Sequence, residues 1–148
     1  MEKILISACL VGDNCRYDGG NNKSPLIDKL LEHFELVPFC PEVEGGLSIP
    51  RLKSEIRDGR VLNEKGKDVT EVFLKGAELA YNICLYLSIQ TVILKDGSPS
   101  CGSTRIYDGF FQNRKIKGEG ITAEYLRRKG LRVISEDQIE EFLKEFEK

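Results

Sequence analysis

Three of the five cysteines lie in loops rich in glycine, proline and serine: Cys9, Cys40 and Cys101. Binding and catalytic residues occur disproportionately in loops, so a thiol in such a loop suggests a metal ligand or a nucleophile rather than a packing residue. Cys15 shares the first of these loops, whereas Cys84 lies on the apolar side of a predicted helix, where cysteine acts as a small hydrophobic residue. No two cysteines form a CxxC pair, which disfavours thioredoxin-like redox chemistry and the common zinc ribbons.

Metal binding is one chemistry open to these thiols. Thiolates brought to one point repel each other unless a cation neutralises them, and soft sulfur ligands suit an iron–sulfur cluster or a zinc ion. A structural zinc site needs a fourth ligand, which Cys15 could supply. The single histidine, His33, lies in a predicted helix and is expected at the surface. The cysteine spacing does not match the tight runs of ferredoxins, so spacing alone leaves both metals open.

Nucleophilic catalysis is less well supported. A phosphatase loop places an arginine six residues after its cysteine, but that position holds Cys15 after Cys9 and Tyr107 after Cys101. With one histidine in the chain, a Cys–His dyad also lacks support. A dithiol module built from Cys9 and Cys15 remains an alternative.

The elements that must position these residues alternate between strands and helices. Apolar runs predict strands at Ile4–Ala8, Glu35–Phe39, Thr91–Leu94 and Leu131–Ile134. The spacing of apolar residues predicts a helix after Ser24-Pro25, a long helix from an N-cap at Thr70 to about Leu87, a helix capped by Thr122 and a C-terminal helix.

We therefore predict a single-domain, three-layer, Rossmann-like α/β fold over residues 1–148, with a mainly parallel sheet of about four strands. A small hairpin excursion is expected at Asp58-Gly59. In such sheets, ligands bind beyond the carboxyl ends of the strands. Cys9 follows the first strand, Cys40 the second and Cys101 the third, so the three thiols are expected to converge on one edge of the sheet.

The composition excludes several classes of partner. The chain has 148 residues, of which 41% are hydrophobic and 31% charged, and its formal net charge is −2. This balance gives no overall field that would attract nucleic acid or a membrane surface. We expect no secretory leader, because the first residues lead directly into a predicted strand, and the sequence has no apolar run of roughly 20 residues that would span a bilayer. We expect a cytoplasmic protein without a structural disulfide; the composition sets no oligomeric state.

Three segments carry a resemblance to a known family: "SACLVGDNCRYDGG", "FCPEVEGGLSIPR" and "KDGSPSCGSTRIYDG". Together they resemble the DUF523 family, which includes the iron–sulfur thiouracil desulfidases. The resemblance implies a [4Fe–4S] cluster held by Cys9, Cys40 and Cys101, with one iron free to take sulfur from a small thiolated nucleobase such as 2-thiouracil. It also implies catalytic roles for Glu42 of the "CPE" motif and Ser98 of the "DGSPSCG" motif.

These motifs lead to an expected reaction. Glu42 would act as general base on water and return a proton to the ring nitrogen, while Ser98 would relay a proton or hold the base. Four more residues are expected to bind the substrate by stacking or hydrogen bonding: Arg16, Tyr17, Arg51 and Arg105. The alternative is a non-catalytic protein that uses the same cysteines to carry a metal, a cluster or sulfur.

Overall fold

Four parallel strands form the central sheet of the computed structural model, which describes residues 1–147. The strands are β1 (Glu2–Ser7), β2 (Phe34–Phe39), β3 (Ser54–Arg57), β4 (Arg60–Asn63), β5 (Thr91–Leu94), β6 (Arg105–Tyr107), β7 (Lys115–Lys117) and β8 (Arg132–Ser135). The α-helices are α1 (Ile27–Leu31), α2 (Pro41–Glu44), α3 (Thr70–Leu87), α4 (Ile121–Arg128) and α5 (Ile139–Leu143). The sheet order is β2-β1-β5-β8, so the predicted α/β fold with a mainly parallel sheet is confirmed.

The two faces of the sheet are covered by different helices. Ile4 and Ile6 of β1 point to one face, where they join the buried residues of α1 and α5. Leu5, between them, points to the other face and packs with α3 and α4. Side chains alternate across a strand, so a strand that is apolar at successive positions must be covered on both faces. This is the three-layer arrangement that the apolar runs predict.

The strand register places the ends of β1 and β2 side by side. Ser7, the last residue of β1, lies opposite Phe39, the last residue of β2. The Ser7 hydroxyl accepts a hydrogen bond from the Lys95 backbone N–H, at 2.9 Å, which ties β1 to the residue that follows β5. The loops that carry Cys9, Cys40 and Cys101 therefore leave the sheet at neighbouring points on its carboxyl edge.

Two antiparallel hairpins lie beside the sheet. The predicted hairpin at Asp58-Gly59 is present as β3 and β4. A second hairpin, β6 and β7, was not expected from the sequence. The first hairpin is tied to α3 because the Thr70 hydroxyl accepts a hydrogen bond from the Val61 backbone N–H, at 2.8 Å.

Two predicted helix caps are wrong. Thr70 is the first residue of α3 and its hydroxyl is engaged with β4; the carboxylate of Asp68 accepts from the Thr70 N–H instead. Thr122 lies inside α4, where its hydroxyl contacts that of Ser100 at 2.8 Å. In both cases a tertiary contact takes the hydroxyl that a local cap would use. Within residues 1–147, no helix combines the length and apolar character needed to cross a bilayer.

Candidate active site

A cavity of about 280 Å³ opens at the carboxyl edge of the sheet. Most of the residues predicted for the site line it: Cys9, Cys40, Cys101, Glu42, Ser98, Arg16, Tyr17 and Arg51. Cys15 lines it as well. The position agrees with the rule that open α/β sheets bind ligands beyond the ends of their strands.

The three loop thiols reach the cavity from three strand ends. Cys9 lies in a short 3₁₀ helix, Ala8–Val11, that begins where β1 ends. Cys40 lies between β2 and α2, at the N-cap position of that helix. Cys101 lies in the loop that follows β5 and is only 5% exposed. The structure thus brings together residues that are separated by 31 and 61 positions (9 to 40 and 40 to 101) in the chain.

Cys15 lies next to two of the three loop thiols. Its side chain lies within hydrogen-bonding reach of both Cys40 and Cys9. The single S–H of Cys15 can donate to one or the other of these sulfurs, and this contact raises the pKa of Cys15 and lowers the pKa of Cys9 and that of Cys40, the latter to about 7. The Cys15 backbone is held in turn, since its carbonyl accepts from Arg51 Nη2 at 2.9 Å. Cys9 and Cys40 are therefore the two thiols most readily ionised.

Cys101 has a different environment. Burial raises the pKa of its thiol, and a hydrogen bond with Ser7 acts in the opposite direction. A buried thiol gives up its proton readily only when a cation lies close by. Bound metal would supply that charge, which fits a ligand role for Cys101 better than a role as a free nucleophile.

Glu42 is the carboxylate at the cavity wall. Its Oε1 accepts from Arg51 Nε at 3.2 Å, and the two side chains are only 16% and 7% exposed. Burial raises the pKa of Glu42, while Arg51 and the Ser98 hydroxyl lower it. A carboxyl group in such surroundings can both take up and give back a proton.

Ser98 connects Glu42 to the loop of Cys101. The Ser98 hydroxyl oxygen accepts from the backbone N–H groups of Ser100 and Cys101, each at 3.0 Å. With both lone pairs engaged, its proton is directed to Glu42 Oε2, at 3.4 Å. The two residues that the "CPE" and "DGSPSCG" motifs single out are therefore in contact.

Asp96 organises the Cys101 loop, and the sequence analysis did not single it out for this role. Its side chain has no exposed surface. Its Oδ1 oxygen accepts hydrogen bonds, at 3.0–3.2 Å, from the backbone N–H groups of Gly97, Ser103, Thr104 and Arg105. A carboxylate that satisfies four N–H groups fixes the path of the loop. The signal in the sequence is an aspartate that follows a buried strand and precedes a glycine.

The predicted substrate-binding arginines are already engaged by protein groups. Arg51 binds Glu42 and the carbonyl of Cys15. Arg16 binds Asn22 and Asp18. Arg105 is absent from the cavity wall, because its guanidinium pairs with Asp137 and Asp96 instead.

Tyrosines and lysines from the two hairpins and the first loop complete the cavity mouth. Lys53 lies over the ring of Tyr17, with Nζ 5.5 Å from the ring centroid. Lys115 of the unpredicted hairpin lies over Tyr107 at the same distance. All four residues line the cavity. Asp108-Gly109 directly follows β6 and is a turn signal of the same kind as Asp58-Gly59, but the strands on either side have only three residues each, so Tyr107 and Lys115 were not singled out from the sequence.

The thiols suit a cluster better than a single ion. Among residues 1–147, no three His, Cys, Asp or Glu side chains converge closely enough to hold one metal ion. A structural zinc site needs four ligands around one ion, and these side chains do not form it as placed. In a [4Fe–4S] cluster each cysteine ligand would bind a different iron, so the ligand sulfurs would stand apart around a larger group. Thiols distributed around the cavity fit that arrangement.

Comparison with known proteins identifies the family to which the chain belongs. The chain matches the 2-thiouracil desulfurase family over residues 4–138. It is 41% identical over 150 residues to an uncharacterized protein of Bacillus subtilis (strain 168), YbbK, covering 95% of this chain and 99% of that protein. It is also similar to a solved structure described as the [4Fe-4S]-dependent thiouracil desulfidase TudS, with 48% identity, a TM-score of 0.90 and 95% of both chains covered. The resemblance seen in the three motifs is confirmed, and the chain belongs to the 2-thiouracil desulfurase family.

Proposed function

We propose that this chain is an iron–sulfur-dependent desulfurase that removes sulfur from a small thiolated nucleobase such as 2-thiouracil. The observation that carries the proposal is the meeting of Cys9, Cys40 and Cys101 with Glu42 and Ser98 around one cavity. The solved structure at 48% identity is described as a [4Fe-4S]-dependent thiouracil desulfidase, which supports the same cofactor and substrate class. In the reaction, water replaces the thiocarbonyl sulfur by oxygen and hydrogen sulfide leaves, with no net transfer of electrons.

In this proposal Cys9, Cys40 and Cys101 hold a [4Fe–4S] cluster, and Cys15 remains a protonated thiol. Three protein ligands leave one coordination position open, as in catalytic metal sites. The bound cluster supplies an iron that prefers a soft thiocarbonyl sulfur to a carbonyl oxygen. Contact with the Cys15 thiol lowers the pKa of Cys9 and of Cys40 and so favours the ionised state, which is the state a ligand needs.

Glu42 is the proposed general base. Its carboxylate takes a proton from the water that attacks the thiocarbonyl carbon, and the carboxyl group then returns a proton to the ring nitrogen. Arg51 holds the Oε1 oxygen in place, which leaves Oε2 turned toward Ser98. General acid–base catalysis by a positioned side chain contributes about 10²–10⁴-fold to a rate.

Ser98 is proposed to orient Glu42 and to pass a proton between Glu42 and the substrate. Its hydroxyl accepts two backbone N–H bonds from the Cys101 loop, so its own proton is directed to Glu42 Oε2. Any shift of Cys101 therefore moves Ser98 as well. The Ser98 hydroxyl thus holds the Glu42 carboxylate and the Cys101 backbone in fixed positions relative to each other.

The ring of Tyr17 is the proposed stacking surface for the planar base, because it lines the cavity and is half-buried. Arg51 and Arg16 are proposed to act by positioning other side chains of the site: Arg51 holds Glu42, and Arg16 holds Asn22. Arg105 has no part in this proposal, since it does not line the cavity and its guanidinium is paired with Asp137 and Asp96.

The test is sulfide release from 2-thiouracil by protein loaded and assayed without air, with the oxygenated base measured in parallel. Wild-type protein should form both products in equal amounts. Glu42→Gln should retain its iron and lose about 100-fold or more of the rate, because Gln cannot act as the base. Glu44→Gln is the matched control: Glu44 lies on the same helix but is exposed, so its rate should stay near wild type.

Two results would overturn the proposal. Equal rates for Glu42→Gln and wild type would remove Glu42 from the chemistry. Protein that binds iron and sulfide but leaves every thiolated base intact would instead support the alternative, a carrier of a cluster or of sulfur.

A further inference from the structure

Asn22 contacts the proposed cluster ligand Cys9 twice. Its side-chain Nδ2 donates to Cys9 Sγ at 3.4 Å, and its backbone N–H donates to the Cys9 carbonyl oxygen at 2.9 Å. The two residues lie 13 positions apart in the chain and both line the cavity. Asn22 therefore fixes both the backbone and the sulfur of Cys9.

The orientation of the Asn22 amide is set by charged neighbours. Its Oδ1 accepts from Arg16 Nη1 at 3.2 Å, and Arg16 Nη2 donates to Asp18 Oδ2 at 3.0 Å. The reversed amide would place an NH₂ group against the guanidinium and an oxygen against the sulfur, which would lose both hydrogen bonds. Arg16 is held at a second point, since its backbone N–H donates to the Gly20 carbonyl oxygen at 3.1 Å. The amide N–H is thus aimed at the Cys9 sulfur.

The three proposed ligands differ in their hydrogen-bond donors. Cys9 and Cys40 share the Cys15 thiol as a neighbour, and Cys9 alone also receives a side-chain amide N–H, that of Asn22. Cys40 receives the backbone N–H of Val43. Cys101 has the Ser7 hydroxyl as its partner. Asn22 is the donor that can be changed most cleanly, because it is half-buried at the cavity rim and is neither a backbone group nor a thiol.

We propose that Asn22 is a positioning residue that donates a hydrogen bond to the Cys9 ligand sulfur, and that Arg16 orients its amide. This inference rests on the proposed function, because it takes Cys9 as a cluster ligand. An N–H donor stabilises negative charge on the thiolate, so it slows loss of the ligand and raises the reduction potential of the cluster. Hydrogen bonds to the sulfurs are among the features that set cluster potentials.

The test compares Asn22→Asp with Asn21→Asp. The first variant keeps the shape of the side chain but presents a carboxylate oxygen to the sulfur in place of the N–H. The second adds the same charge at the neighbouring exposed position, where the side chain contacts Asn14 and not a thiol. Both are loaded without air, and two quantities are measured: the rate at which a chelator removes iron, and the reduction potential.

We expect Asn22→Asp to release iron about 10–100-fold faster than wild type, because loss of an outer hydrogen bond to a ligand typically weakens metal binding by that factor. Its potential should be more negative. Asn21→Asp should match wild type in both measurements. Arg16→Lys, which loses the contact with the amide, should shift both quantities in the same direction as Asn22→Asp.

Equal iron release and equal potential in Asn22→Asp and wild type would overturn the inference while leaving the proposed function intact, provided that wild type releases sulfide from 2-thiouracil. Failure of wild type to load iron would overturn both. If Asn22→Asp does not fold, Arg16→Lys tests the orienting role of Arg16 in its place. A changed KM for 2-thiouracil with unchanged iron release would make Arg16 a substrate contact and would contradict that role.

Discussion

Replacing Asp96 by asparagine is expected to destabilise the loop that carries Ser98 and Cys101. The substitution preserves size but removes a buried negative charge whose Oδ1 oxygen accepts four backbone N–H bonds. A hydrogen bond to a charged group contributes about 1.5–3 kcal/mol, against about 0.5–1.5 kcal/mol for a neutral pair. Loss of about 1 kcal/mol at each of four bonds lowers the free energy of unfolding by about 4 kcal/mol, within the 3–5 kcal/mol typical of breaking a buried pair.

The contacts of the other carboxylate oxygen, Asp96 Oδ2, add to this loss of stability. Oδ2 accepts from the Thr104 hydroxyl and lies 3.4 Å from Arg105 Nη1. An asparagine NH₂ group at this position would face the donors of Arg105 without an acceptor. The matched control is Asp137→Asn, which removes the other partner of Arg105; that pair is exposed, so its loss should cost less than about 1 kcal/mol.

The effect of Asp96→Asn should depend on pH. Burial acts to raise the pKa of Asp96, but the hydrogen bonds from Thr104, Arg105 and Gly97 outweigh it and hold the pKa below its ordinary value. Because the folded-state pKa is the lower one, the carboxylate contributes its full stability above the unfolded value of about 3.9 and loses it as the pH falls further. The difference between variant and wild type should therefore shrink below about pH 4.

Urea unfolding of the metal-free, reduced protein, followed by circular dichroism at pH 7 and at pH 3, measures both effects. A variant within 1 kcal/mol of wild type at pH 7 would refute the reasoning, because it would mean that the four N–H bonds do not depend on the charge. A loss in Asp137→Asn as large as that in Asp96→Asn would refute it as well.

Three further predictions concern the site and its support. Gly76→Ala should lower the free energy of unfolding by about 1–3 kcal/mol, because a Cβ there would overlap the Pro41 carbonyl oxygen where α2 packs on α3; unchanged urea unfolding would contradict this close packing. Ser98→Ala should keep its iron but lose about 10-fold or more in the rate of sulfide release, whereas a wild-type kcat would remove Ser98 from the proton path. Cys15→Ser should still load iron as wild type does; complete loss of iron would make Cys15 a ligand and reopen the four-thiolate alternative.

The sequence predicts the fold well wherever a segment has a continuous apolar run or a clear apolar stripe. β5 was predicted at its observed bounds, and the long helix α3 runs from Thr70 to Leu87 as expected. The meeting of the three loop thiols at one edge also follows from the order of strands and the rule for parallel sheets. These features depend on burial, which the hydrophobic pattern records directly.

Short elements escaped prediction because they depend on tertiary contacts. Helix α2 has four residues, too few to show a helical period, and it packs closely against α3 at Gly76. Strands β6 and β7 have three residues each, too few to show an alternating apolar pattern, and β7 is exposed throughout. Both place residues in the cavity wall, so the missed elements affect the site more than the core.

Side-chain roles within the site were the least predictable part. The motifs identified Glu42 and Ser98, whose contact the structure shows, but not Asn22, whose amide reaches Cys9 only because the first loop folds back. Arg105 was expected at the substrate and instead pairs with two aspartates. A charged residue in a motif can serve the loop itself, and only the folded structure distinguishes the two roles.

The most direct test of the account is the iron and acid-labile sulfide content of protein prepared without air, measured for wild type, Cys101→Ser and Cys84→Ser. Both cysteines are almost fully buried, but Cys84 lies on α3 and does not line the cavity. The account predicts about four irons and about four sulfides per chain for wild type and Cys84→Ser, and a large loss of both for Cys101→Ser. Wild-type iron content in Cys101→Ser, or wild-type protein that binds zinc without labile sulfide, would contradict it.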